Sequence, residues 1–251
     1  MSGHSKWANI KHKKAAKDAK RGKIFTRITK EITISAREGG GDIDANPRLR
    51  LAVQNAKSVN MPSDNIKRAI QKGTGEIEGV NYEEITYEGF GPQGGAVIME
   101  VVTDNRNRTL SDLRTTISKL GGNLAEAGAV AWNFDRKGVV TISTAGKTED
   151  DILELVLDSG ADDMEYDSES TRIICPFDAL NICSKYFEEK KFEITDRKLE
   201  FLPKTMVNIR NVNDAKKILR FLETVEEHED IQNIYSNYDI NDAVLEQAEK
   251  D

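Results

Sequence analysis

Residues 1–30 set ten cations against a single acid, Asp18, and that ratio points to one chemistry, the neutralisation of a polyanion. The cations are Lys6, Lys11, Lys13, Lys14, Lys17, Lys20, Arg21, Lys23, Arg27 and Lys30. On a helix turning about 100° per residue, Lys13, Lys14, Lys17, Lys20 and Arg21 share an arc of roughly 120°. Ala15, Ala16 and Ala19 take the other side, so a charged stripe has a small, smooth back. Each lysine or arginine that meets a phosphate releases counterions, which drives binding without reading sequence. Trp7 has no apolar periodicity around it; it either stacks on an unpaired base or packs on the protein itself. The candidate nucleic-acid-binding residues are Lys6, Trp7, Lys11, His12, Lys13, Lys14, Lys17, Lys20, Arg21, Lys23 and Arg27. The competing reading is a solvated basic arm with no partner.

Other chemistries find less support. Gly89, Gly91 and Gly94 match GxGxxG, but an apolar run with strand character follows them, and Pro92 removes a donor. A dinucleotide loop needs its glycines to open a helix, so a turn between strands fits better. Such a turn still lets a partner approach the backbone closely. Arg106 and Arg108 form a close cationic pair in an otherwise acidic half. They either contact a phosphate or partner at a helix N-terminus, or stand exposed beside capping by Asp104, Asn105 or Thr109. His4, His12 and His228 show no metal-ligand spacing with cysteine or carboxylate, and no nucleophile–histidine pair stands out. Trp132 reads as core. No metal, cofactor or small-molecule substrate is expected, and no enzyme activity. The remaining classes are a nucleic-acid binder and a scaffold that binds proteins through acidic faces.

The net charge of −7 conceals an asymmetry: residues 1–75 carry 17 basic and 6 acidic residues, and the remainder carries 19 and 37. A basic head on an acidic body meets a polyanion at one end and resists non-specific contact elsewhere. Cys175 and Cys183 lie in apolar patterns and read as reduced, buried thiols of a cytoplasmic protein. No apolar run approaches the roughly 20 residues of a membrane span. The basic N-terminus lacks the apolar region of a secretory signal and favours lysine over the arginine of a transit peptide, so it reads as mature protein.

Elements that would position these residues follow from periodicity. Ile24, Phe25, Ile28, Ile32 and Ala36 make a helix that ends at residues 38–41. Asn46 before Pro47 starts a second helix, with Leu49, Ala52, Val53, Ala56 and Val59 on one face. A third starts near Ser63 and is expected to stop at Gly73. Its residues 63–72 offer only Asn65, Lys67, Arg68, Gln71 and Lys72, too little for a clear helix-turn-helix reader of base edges. Beyond a linker the period becomes two. Strands are expected at 82–88, 95–103 and 126–134, with a helix at 109–120. A βαββαβ set occupies 138–202: strands 138–143, 161–167, 170–176 and 193–202, helices 149–159 and 177–191. A strand at 205–209, a helix at 212–227 and a strand at 231–238 would complete the earlier ββαβ unit. The expected class is α+β multidomain: an N-terminal helical bundle plus two α+β domains, a ferredoxin-like one inserted in the other. The expected boundaries are 1–78 for the helical domain with its arm, 79–134 with 205–240 for the discontinuous α+β domain, 135–204 for the insertion, and 241–251 for an acidic tail.

Several motifs together resemble the YebC/PmpR family. They are SGHSKWANIKHKK at 2–14, KRGKIFT at 20–26, DANPRLR at 44–50, NMPSDNI at 60–66, YEGFGP at 87–92 and TDNRNRT at 103–109. The match runs in order through residues 2–138, and the layout to 240 agrees. The resemblance implies a three-domain fold and no enzyme. It implies a cytoplasmic DNA-binding transcriptional regulator, and as an alternative a ribosome-associated translation factor or translational activator that relieves stalling at proline-rich sequences. DNA, ribosomal RNA or both are the implied partners.

Overall fold

The structure, a computed structural model, describes residues 19–144 and 146–250; for 19–21, 249 and 250 it describes the backbone. The described residues divide into two compact units, 135–202 and 19–134 with 203–250. The class is α+β, with N-terminal helices followed by antiparallel sheets and a ferredoxin-like unit set into the chain.

The larger unit opens with three helices, α1 (Ala19–Gly39), α2 (Pro47–Ser58) and α3 (Ser63–Thr74). Asn46 caps α2 by accepting from Leu49 N at 3.0 Å. Its amide also donates to Ser35 O at 2.7 Å and Gly40 O at 2.9 Å, so one buried side chain closes α1 and opens α2. Ile32, Leu49, Val53, Ala56, Ile66 and Ala69 form the core of these helices. Gly73 does not stop α3; it lies inside the helix, where a Cβ would stand 2.3 Å from Thr33 O and 2.7 Å from Ala36 Cβ. Close passage of α3 over α1 therefore requires glycine there, and the stop falls at Gly75, with φ 80°.

Next come β1 (Glu83–Phe90), β2 (Ala96–Thr103), α4 (Arg106–Lys119) and β3 (Asn123–Ala125). The expected strand at 126–134 is not formed. Glu88, 7% exposed, accepts from Gly128 N at 2.7 Å, Val130 N at 2.7 Å and Ala131 N at 2.9 Å. Those three donors are withdrawn from any ladder, and the segment becomes a loop ending in a 3₁₀ turn at Ala131–Asn133. Trp132 rides on that turn, 70% exposed, with its indole donating to Ala129 O at 3.0 Å, so it is not core.

The smaller unit runs β4 (Phe134–Ser143), α5 (Glu149–Ser159), β5 (Asp163–Glu165), β6 (Ser170–Pro176), α6 (Leu180–Glu189) and β7 (Ile194–Pro203). Its sheet order is β5-β6-β4-β7, the ferredoxin-like order, with β6 antiparallel to both β4 and β5. Val140, Ile142, Ile152, Ile173 and Phe187 are fully buried. Cys175 and Cys183 are buried free thiols.

The chain then returns with β8 (Val207–Ile209), α7 (Val212–Glu226), β9 (Ile231–Ser236), β10 (Tyr238–Ile240) and α8 (Asp242–Lys250). The main sheet has the order β3-β1-β2-β9, and β8 pairs in parallel with β10. The strand expected at 231–238 is thus split at Asn237, whose side chain accepts from Ala96 N at 2.7 Å and donates to Thr205 O at 2.9 Å. The apolar faces of α4 and α7 cover this sheet through Leu113, Ile117, Ile218, Phe221 and Val225.

Candidate nucleic-acid interface

Of the expected contact residues, Lys6, Trp7, Lys11, His12, Lys13, Lys14 and Lys17 lie outside the described residues. Lys20 and Arg21 stand in the first turn of α1. Lys23 and Arg27 follow on the same helix, and both reach the C-terminal end of α7. Lys23 Nζ donates to Glu227 O at 3.4 Å. Arg27 donates to Glu226 O, and its guanidinium lies 3.8 Å from the Glu226 carboxylate. Burial lowers the Arg27 pKa, with Glu226 offsetting part of the effect. Lys30, one turn on and 6% exposed, donates to Val102 O at 3.1 Å, Glu229 O at 3.0 Å and Asp230 Oδ1 at 2.8 Å. Spacing of four and three residues puts these cations on one stripe of α1. There Lys23 and Arg27 satisfy carbonyls that the end of α7 leaves unpaired and oppose its negative dipole end, while Lys30 bonds the chain just past it.

Asp230 is the hub of this junction. Besides Lys30 it accepts from Thr109 Oγ1 at 2.7 Å, and Arg108 lies 3.6 Å away. Burial alone would raise its pKa, but hydrogen bonds from Lys30 and Thr109 outweigh that and hold it low. Arg108 also binds Asp104 at 2.7 Å, while Asn105 caps α4 by accepting from Arg108 N at 3.1 Å. Both alternatives read at this motif thus bear on one place: the capping is present, and Arg108 is tied into it. Arg106 is different, being exposed and in no ion pair among the described residues.

Gly89 lies near the end of β1, and Gly91 and Gly94 sit in the β1–β2 connection, where Gly91 N donates to Gly95 O at 2.8 Å. A Cβ at Gly91 would stand 2.4 Å from the Tyr238 hydroxyl, which donates to Pro92 O at 2.6 Å. At Gly89 a Cβ would meet Asn123 O at 2.6 Å. Gly91 makes room for a tyrosine and Gly89 for a neighbouring strand, and the glycines are followed by β2, not by an α-helix N-terminus that could cradle a phosphate.

Sorting the cations of the helical part by what they touch isolates a set. Arg37 donates to Tyr82 O and Val80 O, Arg48 pairs with Glu31, Glu38 and Glu84, and Arg50 donates to Ile43 O and Asp44 O. Lys57, Lys67, Arg68 and Lys72 are exposed and make no ion pair among the described residues. Three of them lie on α3, whose opposite face buries Ile66, Ala69 and Gly73. Sequence reasoning kept α3 out of the contact set because it looked too small for base reading, although phosphate contact does not require a reading helix. Among the described residues, no group of His, Cys, Asp and Glu could hold a metal ion, and no helix is long and apolar enough to cross a membrane.

The family model described as the TACO1/YebC protein N-terminal domain matches residues 5–76, and that described as the TACO1/YebC second and third domain matches residues 82–238. A probable transcriptional regulatory protein of Koribacter versatilis is 52% identical, the alignment covering 99% of each chain. One of Desulfotalea psychrophila is 49% identical over 98% of this chain and 99% of its own. The crystal structure of a conserved hypothetical protein from Aquifex aeolicus superposes with a TM-score of 0.84 at 38% identity, covering 90% of this chain and 93% of that one. Both family models and relatives about 50% identical along the whole chain agree: it belongs to the TACO1/YebC family.

Proposed function

We propose that this chain is a cytoplasmic, non-enzymatic regulator of gene expression that binds nucleic acid through its N-terminal arm and α3, in the first place a DNA-binding transcriptional regulator. The observation that carries this reading is the segregation of charge. Lys57, Lys67, Arg68 and Lys72 are exposed without carboxylate partners among the described residues, and they follow an arm that is itself rich in lysine. The remaining 176 residues are strongly acidic. The names of the relatives, probable transcriptional regulatory proteins, favour DNA. A second reading, translation control on ribosomal RNA, is favoured by the chemistry of the set. Three of its four members are lysines, point charges suited to phosphates and not to base edges.

The test is fluorescence anisotropy with duplex DNA, hairpin RNA and single-stranded RNA across a salt series. Deleting residues 2–21 is expected to remove most affinity for every substrate. Changing Lys67, Arg68 and Lys72 together to glutamate is expected to lower the salt slope by about one unit for each phosphate no longer neutralised. Preference for one duplex sequence supports the transcriptional reading, and preference for structured RNA supports the second. Unchanged affinity and slope in both variants would refute the interface.

A further inference from the structure

The edge of β1 is half covered. β3 pairs only with Glu88, Gly89 and Phe90, so Glu83–Tyr87 have no strand partner on that side among the described residues. In an antiparallel sheet, alternate residues of such a stretch turn their N–H and C=O groups outward, a template for another strand. Beside this edge runs a groove of about 320 Å³ whose walls are Ile85, Tyr87 and Leu124 on the sheet side and Arg106, Leu110 and Arg114 on α4. Arg106 and Arg114 are exposed and in no ion pair among the described residues. The Tyr87 hydroxyl is buried without a hydrogen-bond partner among the described residues.

The spacing of the α4 wall fits a strand. Arg106, Leu110 and Arg114 recur every four residues, about 6 Å apart along a helix that rises 1.5 Å per residue. Side chains on one face of a strand recur every two residues, about 6.8 Å apart. A strand added to β1 would therefore present three successive same-face side chains to Arg106, Leu110 and Arg114 in turn. The complementary pattern is acidic, apolar, acidic at positions i, i+2 and i+4. Nucleic acid fits poorly, because phosphates do not pair with a strand edge, and Ile85, Tyr87, Leu110 and Leu124 make much of the lining apolar.

We propose that this groove takes an extended acidic segment of a partner protein by strand addition to β1, with two carboxylates on Arg106 and Arg114 and an apolar side chain between them over Leu110. Main-chain pairing supplies affinity and the two arginines supply selectivity.

The probe is a fluorescent nine-residue peptide with Glu-Thr-Leu-Thr-Glu at its centre, titrated against the full chain. Saturable binding is expected, weakened at least tenfold in R106E/R114E, both surface positions whose exchange leaves the melting temperature in place. Replacing both peptide glutamates with lysine should reverse the preference, so that the double variant binds more tightly than the unaltered chain. Amide exchange should slow at alternate residues of 83–87 when the peptide is bound. No saturable binding, binding indifferent to R106E/R114E, or binding without protection at 83–87 would overturn the proposal. Displacement of the peptide by single-stranded oligouridine, with loss of oligouridine binding in R106E/R114E, would overturn it in favour of a polyanion contact.

Discussion

A single buried carboxylate, Glu88, determines the path of residues 126–133. It takes three backbone N–H groups that a strand would otherwise spend on a ladder, and the loop that results lifts Trp132 into solvent. Glutamine keeps the shape but offers one acceptor oxygen where two are used, and turns an amide donor toward backbone donors. We expect Glu88→Gln to cost about 1–3 kcal/mol and to raise protease sensitivity at 126–133. Lys30→Ala would leave buried Asp230 with only Thr109 and the more distant Arg108, at a cost of about 1–3 kcal/mol, read as a lower melting temperature. Both carboxylates also set an acid dependence. At each, burial pushes the pKa up and hydrogen bonds more than reverse it: three N–H groups at Glu88, and Lys30 with Thr109 at Asp230. A folded pKa below the unfolded one means the stabilisation is complete above about 4.3 for Glu or 3.9 for Asp. It is lost as pH falls through the depressed folded value. The melting temperature should therefore drop on acidification below about pH 4. The drop should be shallower in Glu88→Gln, and equal slopes in the two proteins would argue against this assignment. None of this was legible in the sequence, because Glu88 and Asp230 look like surface acids until the residues that meet them are known. Asn46 was legible, because its capping role depends on a neighbour one residue away.

At the scale of elements, local grammar and tertiary demand part company at two glycines of one helix. Gly75, in the left-handed region, ends α3 as such residues do. Gly73 looks like the stop from sequence, yet it is a contact point where α3 passes over Thr33 and Ala36. Alanine there would gain about 1 kcal/mol of helix propensity. It would also force a Cβ against a backbone oxygen, and overpacking of this kind costs about 1–3 kcal/mol. We expect Gly73→Ala to lower the melting temperature and Gln71→Ala, on the same helix, to change it little; a stabilised Gly73→Ala would refute the close crossing. The same distinction explains what else was readable. The helix at Glu149–Ser159 and the strand at Ser170–Pro176 follow their periodicities to the residue. The segment at 126–134 alternates like a strand and is not one, since Glu88 outbids the ladder. The stripe Lys23, Arg27 and Lys30 reads as more of the basic arm, and only the distant end of α7 reveals that Lys23 and Arg27 hold a helix terminus and Lys30 the segment after it. Among the described cations of the helical part, Lys57, Lys67, Arg68 and Lys72 remain exposed with no ion pair.

For the molecule as a whole, the chain passes between its two units at residues 134–135 and again at 202–203. On the larger unit's side the two crossings are neighbours. Lys204 N donates to Asn133 O at 2.7 Å, and Thr205 N donates to Asn133 Oδ1 at 2.9 Å. A gap closed by one pair of hydrogen bonds can be bridged by a few Gly/Ser residues with little loop-closure cost. The smaller unit has its own buried centre, including Val140, Ile142, Ile152, Ile173 and Phe187, and its helices α5 and α6 belong to its own βαββαβ order. It follows that 135–202 should fold when produced alone, and that the chain lacking it should fold when residues 134 and 203 are joined by a short linker. Circular dichroism should show helix and strand in both pieces, and each should melt cooperatively. Amide exchange should find the Leu113–Phe221 core of the linked chain as protected as in the intact protein. That linked chain keeps the arm, α3 and the β1 groove, so its affinity for nucleic acid and for the acidic peptide should stay within a few-fold of the intact chain's. An isolated 135–202 without cooperative melting would mean that its core is completed by residues elsewhere in the chain, and the two units would then be parts of one folding unit.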